Sequence, residues 1–151
     1  MIRRASLLLA CVAAATPAAA WALERPESKD PQQNYILFCA GCHTPDGSGA
    51  AHRVPSLRET LPQFMKVAGG REYLVHVPGV ANSQLSAAAM AEVMNWCSQR
   101  FAPDLVSAGW APYTAEEIAA ARRTPQLAIK HMRHRLIELT SLPAPPQGAD
   151  Y

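Results

Sequence analysis

The chain has 151 residues, 49% of them hydrophobic and 17% charged, a composition that supports one packed domain and excludes wholesale disorder. Aromatics are only 7% and prolines number 13, so the core is modest in size unless a large apolar cofactor completes it. The full chain carries 14 basic and 12 acidic residues; removing the first 22 takes away Arg3 and Arg4 and no acid, which leaves a formally neutral chain. Neutrality argues against nucleic acid as a partner, since phosphate binding needs a basic excess on one face.

Residues 1–22 read as a signal peptide. Arg3 and Arg4 form a basic start, Leu7 to Ala15 is a short apolar run, and Ala20-Trp21-Ala22 supplies the small residues of a cleavage site before Leu23. The apolar run is too short to span a bilayer, so no transmembrane helix is expected in the mature chain. Two other readings compete with plain secretion: Arg3-Arg4 as a twin-arginine signal, and Leu8-Leu9-Ala10-Cys11 as a lipoprotein site.

Further along, Asp30 is placed to cap a helix whose first position is Pro31, where the missing N–H costs nothing. That helix runs into Cys39-Ala40-Gly41-Cys42-His43. Thr44 to Pro55 is rich in turn residues and is expected to be a loop. Leu57 to Val67 gives weak helical signals broken by Pro62, and Gly69-Gly70 precedes a short segment, Arg71 to Val77, of ambiguous type that Pro78-Gly79 ends. The clearest helix spans about Ala87 to Arg100, with Ser86 as its cap and Leu85, Ala89, Met90, Val93, Trp96 and Cys97 at spacings of three and four. Thr114 and Glu117 form a capping box for a helix from Ala115 to Arg123, stopped by Pro125. Gln126 to Leu139 is a last amphipathic helix before the proline-rich tail, Pro143 to Tyr151. Arg122, Arg123, Lys130, Arg133 and Arg135 cluster there with His131 and His134, either as a solvated helical face or as a docking patch for an acidic partner.

Two cysteines separated by two residues and followed at once by histidine form the pattern of c-type haem attachment. Both thiols must reach the two vinyl groups of one porphyrin edge while the adjacent imidazole turns onto the iron. A structural zinc site usually wants four ligands, and the only other cysteine after the leader is Cys97. A thioredoxin-like pair belongs beside a strand-helix-strand unit, and none is visible. The expected cofactor is therefore one covalent haem c on Cys39 and Cys42, with His43 as proximal axial ligand.

From about Pro31 to Phe101 the sequence resembles the class I c-type cytochromes. The resemblance is carried by Tyr35 one turn before the first cysteine, the motif Cys39 to His43, the Gly47-Ser48-Gly49 turn and Pro55-Ser56-Leu57. It implies an all-α, cytochrome c-like domain around the haem (23–101), followed by a C-terminal helical extension (102–151). It also implies that the first and last helices of the haem domain cross at Tyr35 and Trp96, and that the carbonyl of Pro55 accepts a hydrogen bond from the ring of His43.

The chain departs from this family at the sixth iron ligand, because the loop from Val77 to Ser86 contains no methionine. His76 is one candidate, with an exposed histidine as its alternative reading; Met65 is the other, with core filling as its alternative. Met90 and Met94 read as packing residues, and His52 is too close to His43 to reach the opposite face without strain. Cys97 reads as a buried small apolar residue beside Trp96, against a redox thiol or an intermolecular disulfide. The function implied is a periplasmic carrier of single electrons between redox proteins, such as a dehydrogenase, an oxidase or another cytochrome. Alternatives are a haem enzyme or gas sensor with an open sixth site, and a cytochrome subunit of a larger complex.

Overall fold

The computed structural model describes residues 27–51 and 53–143; the leader with Arg3, Arg4 and Cys11, His52, and the tail beyond Pro143 lie outside the described residues. Helix α1 (Pro31–Phe38) begins as its chemistry dictates: Asp30 Oδ1 accepts from the Gln32 amide at 2.9 Å, with Pro31 in the first turn. A break at Cys39 leads into one turn, α2 (Ala40–His43). The next residues form a loop closed by a single bridge between Ala50 and Val54.

Helix α3 (Leu57–Lys66) continues through Pro62, against the expectation that proline would break it. An interior proline costs a helix about 3 kcal/mol. Burial of Leu61, Phe64 and Met65, each at most 5% exposed, returns about 1.5–3 kcal/mol per side chain and outweighs it. The ambiguous segment is helix α4 (Gly70–His76), and Pro78 opens another short turn, α5 (Pro78–Ala81), rather than ending the structure.

Helix α6 (Ala87–Phe101) is the longest. The Ser86 side chain caps it by accepting from the Ala89 amide at 3.1 Å. It packs against α1 and α3, burying Met90, Val93, Met94 and Cys97. Where α1 meets α6, the Tyr35 ring lies 5.0 Å from that of Trp96 and 6.4 Å from that of Phe101.

A short α7 (Pro103–Ser107) follows at once. Helix α8 (Ala115–Arg123) opens with Thr114 Oγ1 accepting from the Glu117 amide at 3.2 Å. Helix α9 (Ile129–Glu138) starts later than its periodicity predicts, because residues 127 and 128 form a turn and Leu127 is 98% exposed. No helix among the described residues is long and apolar enough to cross a membrane.

The segment after Phe101 shares its core with the rest of the chain. Tyr113, Ile118, Ala121, Leu136 and Ile137 are buried in the same cluster as Tyr35 and Met90. Arg71 of α4 fastens it: its guanidinium makes two 2.7 Å hydrogen bonds to the Glu117 carboxylate and donates to the carbonyls of Ala111 and Pro112. The same group stacks 4.3 Å from the Tyr113 ring centroid.

Candidate functional site

The sequence around the cysteine motif folds so that its three reactive side chains share one wall. Cys39 lies at the break between α1 and α2, and Cys42 and His43 follow one turn later, where the amide of His43 donates to the Cys39 carbonyl at 2.9 Å. Thr44 ends the turn at φ 63°, an uncommon left-handed conformation for a β-branched residue. Its carbonyl accepts from the Tyr35 hydroxyl at 2.7 Å, so the aromatic that anchors α1 also fixes the exit from the motif.

The loop that follows brings Pro55 back beneath His43. Gly49, at φ 70°, donates its amide to the His43 carbonyl at 3.0 Å; a Cβ there would stand 2.4 Å from the Val54 carbonyl oxygen. Only glycine fits that approach. His43 Nδ1 lies 3.3 Å from the Pro55 carbonyl, which can only accept, so the ring donates through Nδ1 and leaves Nε2 with its lone pair available. Burial lowers the pKa of His43, partly offset by that bond to Pro55, and the neutral imidazole that results is the ligating form.

Cys39, Cys42 and His43 border a cavity of about 540 Å³, within the usual range of roughly 300–1,000 Å³ for cofactor pockets. Its walls are mainly apolar: Leu61 and Phe64 come from α3, Leu74 from α4, and Met90, Val93 and Met94 from α6. Burial pushes the Cys39 thiol up to about 11, with the neighbouring Cys42 adding to the rise. Cys97 also faces the cavity, and burial pushes its thiol well above the ordinary range. It is an inert protonated group at neutral pH.

Of the two candidates for the side facing away from His43, neither is among the residues that border the cavity. His76 donates through Nδ1 to the Glu72 carbonyl at 2.7 Å, while its Nε2 is enclosed with no hydrogen-bond partner. Met65 is 5% exposed within the apolar core. The spacing of the α6 stripe reveals an apolar face but not what it faces; Met90 and Met94, read as packing residues, form part of the cavity wall. Tyr73, Tyr113, Lys130 and Arg133 also border it; the two tyrosines carry no signal in the sequence, and Lys130 and Arg133 read there only as part of a basic cluster, because three of the four come from the segment after Phe101. Only the folded chain brings that segment to the motif.

The cavity fits a haem in its chemistry. It pairs an apolar enclosure with two thiols and one available imidazole nitrogen, and the hydroxyl of Tyr113, 3% exposed, stands in its wall with no hydrogen-bond partner. Among the described residues no group of three or more His, Cys, Asp or Glu side chains is arranged to hold a metal ion. A porphyrin brings its own iron ligands, so a haem held by the two thiols would need from the chain only an imidazole such as that of His43.

A helical domain with this motif, this aromatic contact and this cavity defines a c-type cytochrome. No family model matches the chain. It is 31% identical over 109 residues to cytochrome c-552 of Thermus thermophilus, a match covering 58% of this chain and 83% of that protein. A second cytochrome c-552 of the same species is also 31% identical over 109 residues, with 74% of it covered. The chain belongs to the class I c-type cytochromes, electron-transfer proteins that bind covalent haem c.

Proposed function

We propose that the protein is a periplasmic carrier of single electrons, with one haem c joined to Cys39 and Cys42 and its iron held by His43. The observation that carries this reading is the shared wall: two thiols and an imidazole border one largely apolar cavity, and the ring is held through Nδ1 by the Pro55 carbonyl. The haem supplies a one-electron couple. The chain does the rest. His43 is oriented by the Pro55 carbonyl, the α3, α4 and α6 side chains exclude water, and Cys42 is exposed, so an edge attached there is open to a partner. Ile36 and Leu37, 44% and 54% exposed on the helix leading into the motif, add an apolar rim suited to brief docking with a dehydrogenase, an oxidase or another cytochrome. Export fits the basic, apolar and small-residue order of residues 1–22, with cleavage near Ala22, and covalent haem attachment takes place outside the cytoplasm.

A second reading is favoured by the positions of His76 and Met65 away from the cavity wall: a haem held by His43 would then have neither as its other iron ligand, and that position would be accessible to small ligands. One preparation tests both. Expressed in a host competent for cytochrome maturation and then denatured, the native chain keeps its colour, Cys39→Ala or Cys42→Ala alters its haem spectrum, and the double variant is colourless; a colourless native chain overturns the haem reading. A low-spin reduced iron indifferent to carbon monoxide supports the carrier, and a high-spin iron that binds it supports the open site. Loss of the low-spin spectrum in His76→Ala or Met65→Ala would identify that residue as the ligand.

A further inference from the structure

The cavity wall holds three cations, Arg53, Lys130 and Arg133, and no carboxylate among the described residues. Arg53 and Lys130 are exposed, whereas Arg133 is only 8% exposed. Its Nη1 donates to the Tyr73 hydroxyl at 3.2 Å, and its guanidinium lies 5.7 Å from the Phe64 ring centroid. Lys130 and Arg133 are three residues apart on α9 and so share a helix face. A guanidinium set in the wall of an apolar cavity presents charged N–H donors to whatever occupies that cavity. Arginine's planar fork suits a carboxylate in particular.

Resting on the haem reading above, we propose that α9 binds the carboxylate edge of the cofactor, with Arg133 and Lys130 pairing the haem propionates. The porphyrin is apolar over its faces and carries two carboxylates on one side, the same division of polarity as the wall it would meet. Helix α9 then belongs to the haem site, and the C-terminal segment is a part of the cofactor's binding surface rather than an appendage. Tyr73 acts as a positioning residue by holding the Arg133 guanidinium.

The test uses the holoprotein with Arg133→Gln, Arg133→Lys and Lys130→Gln. Two quantities are read: the midpoint potential, and the propionate bending band in the resonance Raman spectrum. Loss of a paired cation favours the ferric state, so both Gln variants are expected to lower the potential and move the band, while Arg133→Lys restores most of both. Lys130 is exposed, so its variant tests the pairing even where Arg133→Gln fails to fold. Coloured, folded variants whose band stays in place overturn the proposal, even when the potential drifts, because a distant charge moves the potential but not the band. A native protein without bound haem would instead sink the haem reading.

Discussion

Asp46 illustrates how a single exposed side chain tunes the loop behind the motif. The Thr44 hydroxyl donates to its carboxylate at 2.7 Å, and the side chain and amide of Ser48 donate as well, at 2.9 and 3.2 Å. These bonds, Thr44 first, lower its pKa from 3.8 to about 2. Because the folded value lies below the unfolded one, the stabilisation is complete above pH 3.8 and is lost as the pH falls toward 2. Asp46→Asn is therefore expected to lower stability by a small, constant amount above about pH 4, with the gap to the native chain closing below it; urea titrations from pH 2 to 6 measure this. The effect stays small because the group faces water. At this scale the sequence was most informative. The motif Cys39 to His43, the Asp30 and Ser86 caps and the Thr114–Glu117 pair are local, and local geometry is written in adjacent residues. The role of Arg133, by contrast, is set by residues sixty positions away.

Individual helices were less legible where tertiary burial competes with local preference. Pro62 reads as a break and is carried inside α3 because Leu61, Phe64 and Met65 have a core to enter. Pro62→Ala should accordingly raise stability by about 2 kcal/mol, the interior-proline cost less the entropy that proline removes from the unfolded chain. Chemical denaturation checks the sign; a destabilised variant would mean that the proline ring itself contributes packing. Helix α9 shows the opposite error. Its stripe extends on paper to Leu127, yet that residue lies in the preceding turn, fully in water, since no neighbouring element reaches it. The segment Arg71 to Val77 was ambiguous because seven residues are too few to separate a strand from a buried helix by pattern alone.

Across the whole molecule, the segment after Phe101 shares a core with the motif-bearing part, and Arg71 is the main polar tie between them. Its contact with Glu117 is only about a third exposed on either side and is bidentate, a geometry that contributes more than an ordinary surface pair. Arg71→Ala is expected to cost about 1.5–3 kcal/mol and to open residues 108–114 to limited proteolysis, which the native chain resists. Equal cleavage of both chains would show that the apolar contacts of Ile118 and Tyr113 suffice alone. None of this pairing was visible in the sequence, where Arg71 and Glu117 are separated by 46 positions and Glu117 reads only as half of a capping box.

Arg122 adds a consequence for speed rather than strength. Its guanidinium donates to the carbonyls of Leu85 and Val80, and Glu27 receives the amide and hydroxyl of Ser86, so the stretch between α5 and α6 is moored at both ends. A boundary so fixed changes little in shape when the charge of the enclosed centre changes by one. With a haem bound, such a boundary would keep the nuclear rearrangement of each oxidation and reduction small, so that exchange with a partner would be rapid even when the driving force is slight.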